Sequence, residues 1–534
     1  MKDRKGPIKD RKPLASKRKH KGLAASTEWA ILSAMSTDSV YRQEDCRFEY
    51  DREDLVGRLG SILDDPQALI TSEEALRAYE TDGLSAYREL PVAAVIPRSV
   101  EQVCAILRLC QELKVPVVAR GAGTSLSAGA LPHPQGLLLS LARFNRILEI
   151  DAERRIARVE PGVRNLAVSE VAAPHGLYYA PDPSSQIACT IGGNIAENAG
   201  GVHCLKYGLT VHNVLEVTLA TMDGELVTFG GAGEEGPGCD LLPAIIGSEG
   251  MLGVVLEATV QLLPEPPCRR VMLGAFETVE QAGDAVADII AAGIIPAGLE
   301  MMDGPAIRAA EDFVAAGYPV DAAAILICEL DGMPAEADAQ VERVRAVMED
   351  HGAGEVRVAA DESEAQRLWA GRKAAFPAVG RISPDYYCMD GTIPRKQLAT
   401  VLARMREMAL EYGLRVVNVF HAGDGNLHPL VLYDANVPGE LERTEELGGK
   451  ILELCVAMGG TITGEHGVGM EKINQMCVQF SDAEREQFLA LKRAFDPDGL
   501  LNPGKGVPSL NRCAEFGAMH VHGGKLPFPD LDRF

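Results

Sequence analysis

A chain of 534 residues is too long for one compact core, so two or three domains are expected. Its formal charge of −24 argues against a nucleic-acid-binding body, and the absence of a run of about 18 apolar residues excludes a transmembrane helix. Its twelve cysteines form no C-x-x-C pair, which speaks against zinc ribbons and iron–sulfur clusters and fits a reducing cytoplasm.

Residues 1–22 hold ten Lys/Arg and two Asp, against the acidic sign of the rest. No apolar core or small-residue cleavage site follows, so a secretory signal is not expected. Residues 1–44 read as a disordered basic tail or extended N-terminus, with Met35 an alternative start. The sharper alternative is an electrostatic contact with an anionic membrane or partner. The segment 48–88 is expected to be helical and to lead into Asp82-Gly83-Leu84-Ser85. Val92–Ile96 reads as a strand, Ser99–Leu113 as an amphipathic helix and Val115–Arg120 as a strand, an α/β pattern. Leu215–Thr221 and Glu225–Phe229 flank the hairpin turn Met222-Asp223-Gly224. Pro264-Glu265-Pro266-Pro267 is a stiff break and the first domain boundary.

Beyond it, helices are expected near 278–292, 304–316 and 335–351, and strands at 270–276, 323–330 and 355–359. That order resembles a ferredoxin-like sandwich. Val416–Phe420 and Leu430–Tyr433 are strand-like, and 437–458 reads as a long helix. The turn-rich run from Asp496 to Lys505 closes the globular part. The expected organisation is a tail (1–44), a first domain (45–267), a cap (268–435), a helical segment completing the active site (436–508) and a tail (509–534). Cys513 and His520-Val521-His522 make the last tail either a docking segment or solvated chain.

Two kinds of site stand out. Arg120-Gly121-Ala122-Gly123-Thr124-Ser125 follows a strand, and its glycines let successive backbone N–H groups approach a phosphate, with two hydroxyls beside them. It is not a Rossmann fingerprint, because Leu126 stands where the third glycine would fall. A plain tight turn would give the same short pattern. Two further loops add weight: Asp182–Gln186 running on through Ile191–Gly201 to Lys206–Thr210, and Gly247–Gly253 with Glu249. Three such loops suit a long, multiply held cofactor.

The second kind lies far downstream. His421 and His428 flank the turn Gly423-Asp424-Gly425-Asn426, and Glu465 offers a carboxylate in Gly464-Glu465-His466-Gly467. Two imidazoles and a carboxylate suit a divalent ion with open positions; hydrogen-bonded structural histidines would leave the same trace. Arg372, in Leu368-Trp369-Ala370-Gly371-Arg372-Lys373, has the fork that binds a carboxylate, with a surface salt bridge as its plain alternative.

These loops resemble the FAD-binding domain of the vanillyl-alcohol-oxidase (PCMH-type) flavoproteins. The span from about residue 45 onward is similar to the FAD-linked 2-hydroxyacid dehydrogenases of that family, which include bacterial glycolate-oxidising subunits and D-lactate dehydrogenases. The resemblance implies an α+β fold: a two-subdomain PCMH-type FAD-binding domain, a ferredoxin-like α/β cap and a C-terminal helical segment. It implies that Arg120, Gly121, Ala122, Gly123, Thr124 and Ser125 wrap the FAD diphosphate. Pro181, Asp182, Ser184, Ser185, Gly192, Gly193, Asn194, Asn198, Gly200, Gly201, Tyr207, Gly208 and Thr210 would line the flavin and its ribityl chain, and Glu249 and Gly253 belong to the third loop of that site. The first loop holds no His or Cys, so the FAD would be non-covalent.

The resemblance also implies a divalent metal, Zn²⁺ or Mn²⁺, on His421, His428 and Glu465, with His466 as general base and Arg372 on the substrate carboxylate. Relatives acting on dicarboxylates carry a lysine where Cys388 stands here, so a small monocarboxylate, glycolate or D-lactate, is expected. Electrons would pass to a second FAD-domain subunit and an iron–sulfur subunit, in the cytoplasm or peripherally on the inner face of the membrane. The rival readings are a stand-alone D-lactate dehydrogenase, a metallohydrolase and a non-catalytic assembly subunit.

Overall fold

The structure, a computed structural model, describes residues 48–231 and 239–508. The expectations for the N-terminal basic run and the C-terminal tail lie outside the described residues.

Val100–Leu113 forms the helix that its spacing predicts. Ser99 caps it by accepting from the Gln102 amide, and Lys114 leaves it in the left-handed region at φ 57°. Its buried stripe, including Val103, Ile106, Leu107 and Cys110, packs with Leu55 and Leu59 of the helix Arg52–Ile62 and with Val117 and Leu139. Strands Ala93–Val95 and Val117–Arg120 flank Leu137–Ser140 in parallel, and Leu69–Ile70 joins the edge antiparallel. Segment 48–88 is less helical than expected. Pro66 keeps Asp65 extended, and only the short turns Glu73–Leu76 and Arg77–Tyr79 follow.

The second subdomain is a five-stranded antiparallel sheet in the order Ile147–Asp151, Ile156–Val159, Val254–Gln261, Val214–Ala220, Leu226–Gly230. The helix Ile191–Glu197 buries Ile191 and Ile195 in the same core as Val217 and Leu219. Past Leu263–Pro264, which pairs with Leu177–Tyr178, the chain enters the cap. The cap sheet has seven strands, every neighbouring pair antiparallel, and extends the expected ferredoxin-like order with Gly298–Asp303, Arg415–Phe420, Pro429–Tyr433 and Asp385–Cys388.

The chain then returns to its beginning. Helix Glu440–Ala457 packs against the cap, and Asp482–Phe495 starts on a capping box of Ser481 and Glu484. Leu501 bridges to Val117, and the Asn502 side chain donates to the carbonyls of Gly129 (3.0 Å) and Glu249 (2.7 Å). One buried amide thus ties the C-terminal segment to both subdomains of the first domain.

Candidate active site

Residues from both subdomains line a cavity of about 600 Å³ that reaches the cap at Lys373, Phe376 and His428. Arg120 to Ser125 all line it, as do Ser184, Ser185, Gly192, Gly193, Asn194, Glu249 and Gly253. The Ser125 hydroxyl accepts from the Ser127 and Gly129 amides at 3.3 Å each, which shapes the end of the first loop. Arg120 donates to the Tyr79 carbonyl at 3.1 Å. Gly83, quoted only as the end of a helical segment, also lines the cavity. A Cβ there would stand 2.7 Å from the Ser125 carbonyl and 2.9 Å from that of Thr124. A second cavity of about 490 Å³ shares Gly121, Ala122 and Thr190 with the first and continues along Asn145, Gly162, Val163 and Arg164. Sequence reasoning missed this second half, because no glycine-rich run marks it.

Pro181, Asp182, Asn198, Gly200, Gly201, Tyr207, Gly208 and Thr210 are not brought to the cavity wall; they stand behind it. The Pro181 carbonyl accepts from the Asn165 side chain (3.0 Å), the Thr210 hydroxyl donates to the Ala199 carbonyl (2.7 Å), and the Asn198 side chain accepts from the Val211 amide (2.9 Å). Asp182 meets His203 at 2.9 Å, and the Tyr207 hydroxyl donates to Asp331 of the cap. Gly200 adjoins the chemistry instead: a Cβ there would stand 2.7 Å from Glu465 Oε2.

At the end of the cavity lies a buried cluster of charge. Strands Arg415–Phe420 and Pro429–Tyr433 pair antiparallel, and the loop between them turns His421 and His428 toward each other, with ring centroids 5.0 Å apart. Glu465 Oε1 is 3.2 Å from His421 Nε2 and 3.1 Å from His428 Nε2. The expected trio therefore meets on one oxygen. His466 lines the cavity and stacks on His428, centroids 4.8 Å apart and planes 14° from parallel. One ligand atom from each of Asp390, His428, Glu465 and His466 lies within 4.8 Å of the others, a grouping that could hold a metal ion.

Arg372 is neither a surface ion pair nor part of the cavity wall. It is 1% exposed. Its Nε and Nη2 lie 2.8 and 2.6 Å from Glu300 Oε2, while Glu300 Oε1 meets His421 Nδ1 at 2.8 Å. Burial would raise the Glu300 pKa, but His421 and Arg372 hold it below the ordinary range. Burial likewise opposes the charge on His421, yet Glu300 and Glu465 on its two nitrogens hold its pKa well above the ordinary value.

Asp390 organises the neighbouring loop. It accepts from the amides of Gly464, Glu465 and His466 at 3.1, 3.2 and 2.9 Å, from the Thr463 hydroxyl at 2.6 Å and from Lys472 Nζ at 3.0 Å. Despite burial, Lys472 and the imidazoles keep its pKa well below the ordinary range. Burial pushes His466 the other way, down to about 4, so its ring is neutral near neutral pH. Glu300, Asp390 and Lys472 escaped the sequence reading. Lys472 follows the Gly464–Gly467 motif by a few residues and Asp390 follows Cys388 by two, whereas Glu300 carries no local mark.

The family profile described as "FAD linked oxidases, C-terminal domain" matches residues 265–506, and the one described as "FAD binding domain" matches residues 91–230. The chain is 64% identical over 466 residues to the glycolate oxidase subunit GlcD of Escherichia coli (strain K12), covering 87% of this chain and 93% of that protein. It is 34% identical over 442 residues to a D-lactate dehydrogenase of Archaeoglobus fulgidus, covering 82% and 96%. Among solved structures, p-cresol methylhydroxylase with substrate bound superposes with a TM-score of 0.73 at 19% identity, over 86% of this chain and 97% of that one. At that identity the likeness speaks for the fold alone: a PCMH-type FAD-binding domain with a C-terminal domain. The metallohydrolase alternative falls with the FAD-binding match. No helix among the described residues is long and apolar enough to cross a membrane.

Proposed function

This chain belongs to the FAD-linked oxidases, and we propose that it oxidises glycolate to glyoxylate, with D-lactate as a second substrate, and passes the electrons to partner proteins. The observation that carries this reading is a convergence: the glycine-lined cavity ends at His466, against the Glu465–His428 pair. The cradle residues fit non-covalent FAD. The first loop offers backbone and hydroxyl donors, and Gly121 and Ala122 border both cavities, so a diphosphate there would send the flavin toward His466 and the adenosine along Val163 and Arg164.

The charge cluster fits a divalent cation. His428 Nε2 is buried without an aligned hydrogen bond, although Glu465 Oε1 and Asp390 Oδ1 stand 3.1 and 3.4 Å away. Three buried carboxylates, Glu300, Asp390 and Glu465, face Arg372, Lys472 and the proton that they hold on His421, and a metal would take that proton's place. His421, His428 and Glu465 would hold the ion, Zn²⁺ or Mn²⁺, around Glu465 Oε1, where they meet; His428 and Glu465 also group with Asp390 and His466, and Glu300 would fix the His421 tautomer through Nδ1. When bound, FAD supplies the hydride acceptor and the metal acidifies the substrate hydroxyl.

His466 then takes the hydroxyl proton, and burial keeps it unprotonated to do so. Asp390 holds that loop by its amides, which sets where His466 stands. Arg372 donates through Nε to Glu300 and stands behind the cavity wall, so its charge would attract the substrate carboxylate from there, with Lys373 in the wall beside it. Cys388 supplies no cation for a second carboxylate, which favours a monocarboxylate. The likeness to a protein named as a subunit supports a complex, with a second FAD-domain subunit and an iron–sulfur subunit as the proposed acceptors, peripheral to the inner face of the membrane. The Archaeoglobus relative supports a second reading, a stand-alone D-lactate dehydrogenase.

The test is an anaerobic absorbance titration of the purified chain. Bleaching of a flavin band by glycolate at a higher rate than by D-lactate supports the first reading, and the reverse order the second. A flavin band untouched by either acid, with metal and partners supplied, removes both.

A further inference from the structure

We propose that Glu197 is a neutral carboxylic acid that donates a hydrogen bond to the isoalloxazine ring of the bound flavin and raises its reduction potential. The inference rests on the FAD reading above.

Glu197 ends the helix Ile191–Glu197 and lines the cavity; its Oε2 is sealed away without a hydrogen-bond partner, so Oε1 is the oxygen that can face a ligand. A Cβ on Gly129 would stand 2.6 Å from Oε1, and a Cβ on Gly467 would stand 2.0 Å from Oε2. The carboxyl is therefore wedged between the chain that leaves the cradle loop and the loop that carries His466. That is the reacting end of the cavity: a ring that receives hydride must lie near the base, so the group facing Glu197 is the ring and not the diphosphate.

Glu249 crowds the same point, 3.2 Å through Oε1 from the Gly467 Cβ position. Its oxygens accept from the Val468 and Gly469 amides at 2.7 Å each. Burial raises the pKa of both carboxyls, but the two amide donors counter the rise at Glu249, so Glu197 is the one that takes the proton more readily. The nearby lysines do not reverse that order. Lys472 Nζ is engaged by Asp390 at 3.0 Å and the Gly467 carbonyl at 2.8 Å, and Lys505 Nζ by the Leu131 carbonyl and by Asn502 Oδ1 at 2.6 Å. Burial, with Glu249 beside it, accordingly holds the Glu197 pKa well above the carboxylate range.

A protonated carboxyl is an O–H donor, and a buried donor needs an acceptor. The carbonyl and nitrogen edge of an isoalloxazine ring provides acceptors, and they grow more electron-rich on reduction. A fixed donor there stabilises the reduced ring more than the oxidised one.

Three holoenzymes decide it: wild type, Glu197→Gln, which keeps a neutral donor, and Glu197→Leu, which has none. Flavin content is read by absorbance, the midpoint potential against a reference dye, and the carboxyl by flavin-redox difference infrared spectroscopy. Glu197→Gln should match the wild-type potential. Glu197→Leu should shift the redox equilibrium at least about tenfold toward oxidised flavin, the worth of one hydrogen bond to a charged acceptor. Wild type should show a protonated-acid C=O band that moves on flavin reduction and is missing in Glu197→Gln. Equal potentials in all three with no such band overturn the inference, as does a raised potential in Glu197→Gln, which would mean that a negative charge had been removed. Should Glu197→Leu fail to fold, the infrared band and the Glu197→Gln potential decide alone. A wild type that takes up no FAD overturns the cofactor reading instead.

Discussion

Along the cavity, the loops Arg120–Ser125 and Gly192–Asn194 present mainly backbone and hydroxyls, whereas at its end Glu300, Asp390, Glu465, Arg372, Lys472 and three imidazoles share one buried cluster. The wall depends on how closely a ligand can approach the main chain. The cluster depends on charge balance, because each buried ion is tolerable only while its partners remain. Substitutions in the two regions should therefore fail differently: in the wall by loss of flavin, in the cluster by loss of chemistry or metal with flavin retained.

The largest expected effect separates them most cleanly. His466→Asn should slow flavin reduction by about 10²–10⁴-fold, the usual worth of a positioned general base, while the flavin absorbance stays at wild-type level. Stopped-flow mixing with glycolate reads both quantities at once. Unchanged reduction removes His466 from the role; lost flavin would mean that the cluster also holds the cofactor.

Glu300→Gln tests the charge side one layer out. The amide cannot serve both Arg372 and His421 as the carboxylate does, so metal affinity should fall about 10–100-fold, the ordinary cost of removing a ligand's orienting carboxylate. Metal content after dialysis against a graded chelator series measures it. Full metal retention would show that Glu300 serves the cap sheet alone.

Gly83→Ala tests the wall side with a smaller effect. The added methyl would press on the Thr124 and Ser125 carbonyls, atoms that cannot rotate away. The cost should be about 1–2 kcal/mol, read as a roughly 5–30-fold loss in FAD affinity with metal content unchanged. Equal loss of both would mean that the two regions form one cooperative unit.

The same contrast explains what could be read from the chain. The helix Val100–Leu113 announces itself by its period and its Ser99 cap, and the cradle is legible because its donors are consecutive residues after a strand. His421, His428 and Glu465 were legible because glycines punctuate both of their loops. Glu300 was not: it lies in Gly298–Asp303, a strand buried along its whole length, and its partners stand 72 and 121 residues away. The expected role of Arg372 shows the same gap. Its fork was visible, but the buried carboxylate that pairs with it comes from a strand of the cap, whereas Arg372 stands on the helix Glu362–Lys373. Pro181, Asp182 and Tyr207 belong to the right loop but turn away from the cavity, because a loop's composition does not state which face its side chains take.

The smallest effect concerns the seam between the two regions. His203 stands between Asp182 of the first domain, at 2.9 Å, and Glu329 of the cap, at 3.4 Å, and Trp369 Nε1 holds the other Glu329 oxygen at 2.7 Å. Burial would lower the His203 pKa, but the two carboxylates win and raise it to about 10, against 6.5 for the free side chain. A raised folded pKa means that the imidazolium's stabilisation is fully present below pH 6.5 and is lost as pH climbs through about 10. Between those values wild type should lose its advantage over His203→Gln, with each kcal/mol appearing as roughly 2–4 °C in Tm. Melting both proteins across that range cancels the other groups that titrate there. A gap that shrinks toward pH 10 identifies His203 as a charged link across the seam; a constant gap means that the side chain contributes packing alone, and the domains are held by Lys206 and Tyr207 on Asp331.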